Sequence, residues 1–182
     1  MKLEADARIS FPRETVFKTY RDRLPELVPH LPNVKRIVVE KREDDAGGQP
    51  GITKLVNLWE AKGDVPKVAQ SIIKPENLAW IDYAEWNQNE WTCAWRIETK
   101  MFTQNVKCGG KNRYTVIDDK TCTLEIRGEL DVDLHGVKGV PKFLAGTVAP
   151  VVEKFIVALL TPNLLSVAKG LQAFLKEEEQ KR

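Results

Sequence analysis

Thr123-Leu124-Glu125-Ile126-Arg127-Gly128-Glu129-Leu130-Asp131-Val132-Asp133-Leu134 alternates apolar and polar side chains with no charge out of phase. Successive side chains of a strand point to opposite faces, so this stretch reads as an antiparallel strand, wet on one face and covered on the other. The same alternation runs from Lys2 to Phe11, where Leu3, Ala5, Ala7, Ile9 and Phe11 share the apolar side. After His135-Gly136-Val137-Lys138-Gly139 the period changes. Apolar pairs then recur every four residues at Phe143-Leu144, Thr147-Val148, Val151-Val152, Phe155-Ile156 and Leu159-Leu160, as on one face of a helix. The segment from Val140 to Leu175 is therefore the candidate to cover the inner faces of the strands. Whether it closes on them or leaves a hollow is the functional question.

The elements between can be placed from punctuation. Ser10 as a capping residue, Pro12 and the early acid Glu14 mark a helix start, and that helix carries Val16, Phe17 and Tyr20 inward to about Asp22. Pro25, Pro29 and Pro32 leave room only for a short turn from Pro25 to His30. Strands are expected at Val34–Arg42 and Ile52–Ala61, around a polar loop from Glu43 to Gly51. Val65–Ile73 reads as a strand in preference to a helix. Leu78–Trp86 and Trp91–Ile97 form a hairpin around Asn87-Gln88-Asn89-Glu90, and Tyr114–Ile117 and Cys122–Leu134 flank a turn at Asp118-Asp119-Lys120. Glu98 to Asn112, which contains Gly109-Gly110, reads only as a strand continuation followed by a turn. Pro150 should bend the C-terminal helix, and Thr161-Pro162 should cap one segment and open another. Lys176 to Arg182 reads as a solvated charged tail.

Composition excludes several classes of function. At 182 residues the chain suits one domain, residues 1–182 with 177–182 as its tail. A net charge of +2 with interspersed signs gives no field for nucleic acid. Two histidines and three cysteines, Cys93, Cys108 and Cys122, show no ligand spacing, so neither a metal nor another cofactor is expected. Gly109-Gly110-Lys111 lacks the upstream glycine and following hydroxyl of a phosphate loop, and there is no nucleophile elbow, HExxH or paired-carboxylate pattern. Met1-Lys2-Leu3-Glu4 enters a strand without the apolar run of a signal peptide, which with the odd cysteine count suggests a reduced, cytoplasmic protein. The apolar stretch Phe155–Ala168 is interrupted by Thr161-Pro162-Asn163 and falls short of the roughly 20 residues of a membrane span. No integral membrane segment is expected, although transient contact with a membrane surface is compatible with the composition.

This order of elements resembles the START-like helix-grip superfamily, also called SRPBCC. The local supports are Phe11-Pro12-Arg13-Glu14-Thr15-Val16-Phe17 at the end of the first strand, Leu31-Pro32 before the second, Trp80 in a central strand, and Gly136 to Pro141 before the long helix. The resemblance spans essentially the whole chain and implies an α+β fold. In it, a curved antiparallel sheet of about six to seven strands wraps a long C-terminal helix, with two short helices after strand one. It also implies an apolar cavity between sheet and helix that holds a hydrophobic ligand.

The hairpin register decides which side chains would face such a cavity. With an even loop, Trp86 pairs with Trp91, Ala84 with Cys93, Asp82 with Trp95 and Trp80 with Ile97, so the inner face is an aromatic wall with one carboxylate in it. An odd loop would turn Tyr83 and Glu85 inward instead. A buried Asp82 would be a ligand anchor or an acid of raised pKa. Asn57, sharing a face with Leu55 and Trp59, could offer an amide, although a neighbouring strand satisfies such residues as readily. Core packing alone would also account for any one tryptophan; as a group they suit a pocket. The ligand-lining candidates are Asn57, Trp59, Trp80, Asp82, Trp86, Trp95 and Leu130 from the sheet, with Leu144, Thr147, Val148 and Val151 from the helix. His135, in a glycine-bracketed loop near the cavity mouth, would join Asp82 as the acid/base pair if the protein is an enzyme, and is otherwise a solvent-exposed loop histidine.

Three functions fit these residues. The first is binding or transport of a small hydrophobic ligand such as a lipid, isoprenoid, sterol or polyketide-like ring, with the Gly47–Gly51, Trp59–Pro66 and Gly136–Pro141 connections as the gate. The second is a polyketide cyclase or aromatase, which the apolar inner faces favour less. The third is a protein-interaction domain, as in the chaperone-activating branch of the fold, with a packed interior.

Overall fold

The computed structural model describes residues 1–67, 70, 73–74, 78–134 and 142–181, with side chains from Ala149 onward in the last segment. Seven strands form one antiparallel sheet: β1 (Lys2–Ile9), β2 (Val34–Asp44), β3 (Ile52–Ala61), β4 (Ala79–Asn87), β5 (Thr92–Thr99), β6 (Val106–Asp118) and β7 (Thr121–Val132). Their order across the sheet is β1-β7-β6-β5-β4-β3-β2. The first two strands therefore lie at opposite edges, and α1 (Arg13–Asp22) with a 3-10 helix (Leu24–His30) carries the chain between them. From β2 to β7 the chain meanders, each strand pairing with the next. The long α2 (Lys142–Gln180) packs on β1, β7 and the 3-10 helix.

Three local departures from the sequence reading have clear causes. The start of α1 has Pro12 at its cap position with no side-chain cap, while the Ser10 amide donates to Gln172 Oε1 on α2 at 2.8 Å. Gly109-Gly110 makes no turn; it lies mid-strand in β6, opposite Gly128 of β7. A Cβ on Gly110 would sit 2.3 Å from the Arg127 carbonyl and 2.6 Å from Trp95 Cζ2, and one on Gly128 would sit 2.8 Å from the Trp95 ring. The glycines are a seat for an indole, which is why they interrupt a strand. Of Val65–Ile73, the described residues 65–67, 70 and 73 carry no strand, and the others lie outside the described residues.

The C-terminal helix also differs: it runs unbroken through Pro150 and Pro162. Pro162 removes the backbone donor that would reach the Ala158 carbonyl, while Asn163 Nδ2 adds a side-chain bond to the next carbonyl, that of Leu159, at 2.9 Å. Burial does the rest. Ala149, Val152, Ile156, Leu160, Asn163, Val167, Leu171 and Phe174 recur at three- and four-residue steps and all are buried. By length and composition the part from Ala149 to Gln180 could cross a membrane, but its apolar stripe is spent on the sheet and the N-terminal helices. The expected tail is helix as far as Gln180, and it is anchored: Glu178 pairs with Arg23 at 2.9 Å and Glu177 with His30 Nε2 at 3.1 Å.

Candidate functional site

The β4–β5 hairpin sets the site. Trp86 pairs with Cys93, Ala84 with Trp95, Asp82 with Ile97 and Trp80 with Thr99. This is two residues away from the register expected, because Trp91 belongs to the turn, in a left-handed conformation (φ 56°), rather than to the strand. A shift of two leaves every side chain on the expected face. Trp80, Asp82, Ala84 and Trp86 thus face inward beside Cys93, Trp95 and Ile97, and Tyr83 and Glu85 do not line the interior. Trp91 instead packs edge-on to Phe17 at 5.3 Å, with the Arg13 guanidinium 4.1 Å over its ring.

Between this wall and α2 lies an enclosed site. Tyr20 and Leu24 close it from the N-terminal helices, Asn57 and Trp59 from β3, Asn112 from β6, Ile126 from β7, and Asn163, Leu164 and Val167 from α2. The cavity is about 30 Å³, room for one or two waters. As it stands it would not admit a ring; a ligand must displace a wall. An open groove of about 400 Å³ on the outer face of β2–β5 is larger. There Lys54 pairs with Glu85 at 3.3 Å, Arg96 pairs with Glu98 at 3.3 Å, and the Arg96 guanidinium lies 4.2 Å over the Tyr83 ring.

Polar groups inside the site are few and unevenly matched. Asn57 Nδ2 donates to Asp82 Oδ2 at 3.1 Å, and Trp95 Nε1 donates to Asn112 Oδ1 at 2.9 Å. Burial raises Asp82 from the ordinary carboxylic range to about 6, against the opposing pull of the Asn57 amide and the nearby Trp59 indole. Asp82 is half-buried and lines the cavity. Burial also lifts the Tyr20 hydroxyl well above its ordinary range, with the Asp82 charge adding to the effect. Among the described residues, three of the wall carry buried polar atoms without a hydrogen bond, Asn57 Oδ1, Trp86 Nε1 and Asn163 Oδ1, while the Trp59 indole is directed at the Asp82 carboxyl.

Six residues named from the sequence come together here: Asn57, Trp59, Trp80, Asp82, Trp86 and Trp95. Leu130 is buried in the core, but its nearest crevice is another, formed with Met1, Glu153 and Val157. Val151 is half-buried on α2 and lies off the cavity wall. His135, the Gly136–Pro141 loop, and the side chains of Leu144, Thr147 and Val148 lie outside the described residues. Three polar wall residues escaped the sequence reading: Tyr20, Asn112 and Asn163. The signal for Asn112 was its place in the apolar phase of Val106, Cys108, Gly110 and Tyr114; for Asn163 it was its place in the apolar stripe of α2. Cys93, Cys108 and Cys122 are free and buried, and burial raises the thiols of Cys108 to about 12 and Cys122 to about 11, the reverse of an activated thiol. Among the described residues no cluster of three or more His, Cys, Asp or Glu side chains could hold a metal ion.

No family model and no curated protein matches the sequence. Solved structures do match over the full length. The Zhui aromatase/cyclase from a Streptomyces species superposes with a TM-score of 0.69 at 13% identity, covering 100% of this chain and 96% of that one. TTHA0849 from Thermus thermophilus gives a TM-score of 0.62 at 18% identity, with 95% of each chain covered. A START superfamily protein from Mycobacterium smegmatis gives 0.51 at 13%, with 97% of each chain covered. The chain has the START-like helix-grip fold. The seven-stranded antiparallel sheet, the short helices after its first strand and the long covering helix are as the resemblance implied. At these identities the likeness concerns the fold alone, and function has to be argued from the site.

Proposed function

We propose that this START-like protein binds a small, mostly apolar, ring-bearing ligand with polar substituents in the cavity between β3–β7 and α2. The observation that carries this reading is the set of unmatched polar atoms that the described residues place on the cavity wall: Asn57 Oδ1, Trp86 Nε1 and Asn163 Oδ1. Each buried group without a partner costs about 1–3 kcal/mol, a cost that an interior serving only as packing would have no reason to bear. A ligand offering both donors and acceptors would match them, while Trp59, Trp80 and Trp95 supply its apolar walls. The same argument counts against an interaction domain with a packed interior, although the small volume of the closed cavity is what that reading would expect.

1-Naphthol, a fused ring with one hydroxyl, is a suitable probe. Saturating naphthol should raise the melting temperature and quench tryptophan fluorescence, and Ala84→Trp, which fills the cavity, should abolish both effects. No shift and no quenching at millimolar probe would end the proposal.

A second reading, a cyclase or aromatase like some proteins of this fold, is favoured by one feature. Asp82 is enclosed with a pKa of about 6, suited to proton transfer near neutrality. An Asp82→Asn variant separates the two readings: a binder keeps most of its naphthol affinity, whereas an enzyme loses turnover.

A further inference from the structure

A second space lies end to end with the cavity along α2. It is lined by Trp80, Met101, Phe102, Phe155, Ile156 and Leu159, among others, and its cavity is about 30 Å³ as it stands, so a tail must spread these side chains to enter. Among the described residues its wall holds no charged side chain, and the one hydroxyl they supply, Thr99, already donates to the Met101 carbonyl at 2.7 Å. Trp80 belongs to both spaces, so one indole is the partition between them. That indole stacks on Trp59 at 5.6 Å and 19°, an arrangement that a turn of the Trp80 side chain would undo.

We propose that this second space is a tail chamber, so that the natural ligand is an amphiphile with a polar-substituted ring in the cavity and an unbranched or isoprenoid hydrocarbon tail beyond Trp80. The proposal rests on the ring-binding reading above. Three observations carry it. First, among the described residues polarity divides sharply across the partition: Asp82, Asn57, Asn112 and Asn163 line one side, and hydrocarbon, sulfur and one spent hydroxyl line the other. Second, the two helix segments involved are consecutive. Residues 155–160 cover the apolar chamber and 163–167 the polar one, so their centres lie about 11 Å apart along the axis, the reach of an extended chain of about eight carbons. Third, the outer end is built from half-buried apolar side chains, Met101, Phe102, Phe155 and Leu159, and Phe102 holds a left-handed backbone conformation (φ 58°) that a bulky residue adopts only under constraint. A hydrocarbon tail would cover these side chains and continue the cavity without placing any polar group in the second space.

The test uses 1-naphthol as a tailless ring and phenol, 4-butylphenol and 4-octylphenol as a tail series, each below its solubility limit, titrated by calorimetry and tryptophan fluorescence. Affinity should rise about fourfold per added methylene up to about eight carbons. Leu159→Trp, which fills the chamber, should return 4-octylphenol to the affinity of 4-butylphenol or below, with naphthol binding unchanged. Should that variant fail to fold, Phe102→Ala in the β5–β6 loop should weaken 4-octylphenol several-fold and leave naphthol alone. Naphthol binding with no gain along the tail series, or equal losses for naphthol and 4-octylphenol in either variant, overturns the tail chamber while leaving the ring site standing. Failure of naphthol and every phenol to bind overturns both.

Discussion

Asn57 and Asp82 sit directly opposite each other on β3 and β4, and the Asn57 amide donates to Asp82 Oδ2 at 3.1 Å. One amide is a weak counterweight to burial. The carboxyl therefore rises to about 6, and the pair becomes a neutral or singly charged polar spot in an aromatic wall, depending on pH.

The consequence for stability has a definite sign. Asp82 holds its proton more tightly when folded (about 6) than when unfolded (about 3.9), so the folded state carries more protons between those values and loses stability as pH rises through them. Asp82→Asn stays neutral and lacks this dependence. Urea denaturation should show wild type losing about 2–3 kcal/mol relative to Asp82→Asn between pH 4 and pH 7. A difference that stays flat over that range would show that Asp82 is not enclosed.

Gly110 should tolerate no side chain. Its Cβ would meet backbone at 2.3 Å and the Trp95 ring at 2.6 Å, neither of which can yield without separating β6 from β7 or unseating the indole. Gly110→Ala is expected to cost about 3 kcal/mol and to alter the near-UV circular dichroism of the tryptophans. Gly47, with open space around it, should lose only about 1 kcal/mol on the same change, through its positive φ of 65°. Equal melting temperatures for the two variants would contradict this account.

Trp95 and Asn112 form the buried polar bond of the inner wall. Trp95→Phe keeps a ring over the glycines but strands the Asn112 Oδ1, at an expected loss of about 1–3 kcal/mol. In the Asn112→Leu background the same change should cost clearly less, since no acceptor is left without its donor. A double-mutant cycle measured by thermal unfolding reads the difference directly.

Pro162 interrupts the backbone ladder of α2 while packing keeps the helix continuous. Pro162→Ala restores the missing donor, and the variant should gain about 1–3 kcal/mol in unfolding free energy. If ring binding requires α2 to yield at this point, the stabilised variant will also bind 1-naphthol more weakly. A loss of stability would mean that the proline ring itself fills a necessary space.

Sheet membership and facing were largely legible in the chain, because alternation along β1 and β7 and around the Asn87–Glu90 turn depends only on which side chains avoid water. The hairpin shows the limit of that logic. Period-two patterning cannot tell a register from one shifted by two residues, and Trp91 was assigned to the strand although the turn takes it. Gly109-Gly110 misled for a related reason: glycine signals a turn or a close approach, and only the position of Trp95 reveals which. At Pro162 the local breaker lost to burial of the stripe on either side, a contest decided by packing partners distant in sequence.

The amino-acid sequence by itself determined the element order, the inward face of the aromatic strands and the placing of Asp82 among tryptophans, since these follow from short-range periodicity and from the cost of exposing rings or burying charge. Tertiary structure alone decided that Asn112, Asn163 and Tyr20 line the same cavity as Asp82, that the cavity is narrow, and that Trp80 divides it from a second apolar space. Those are distances between elements far apart in the chain, set by how α2 settles on the sheet.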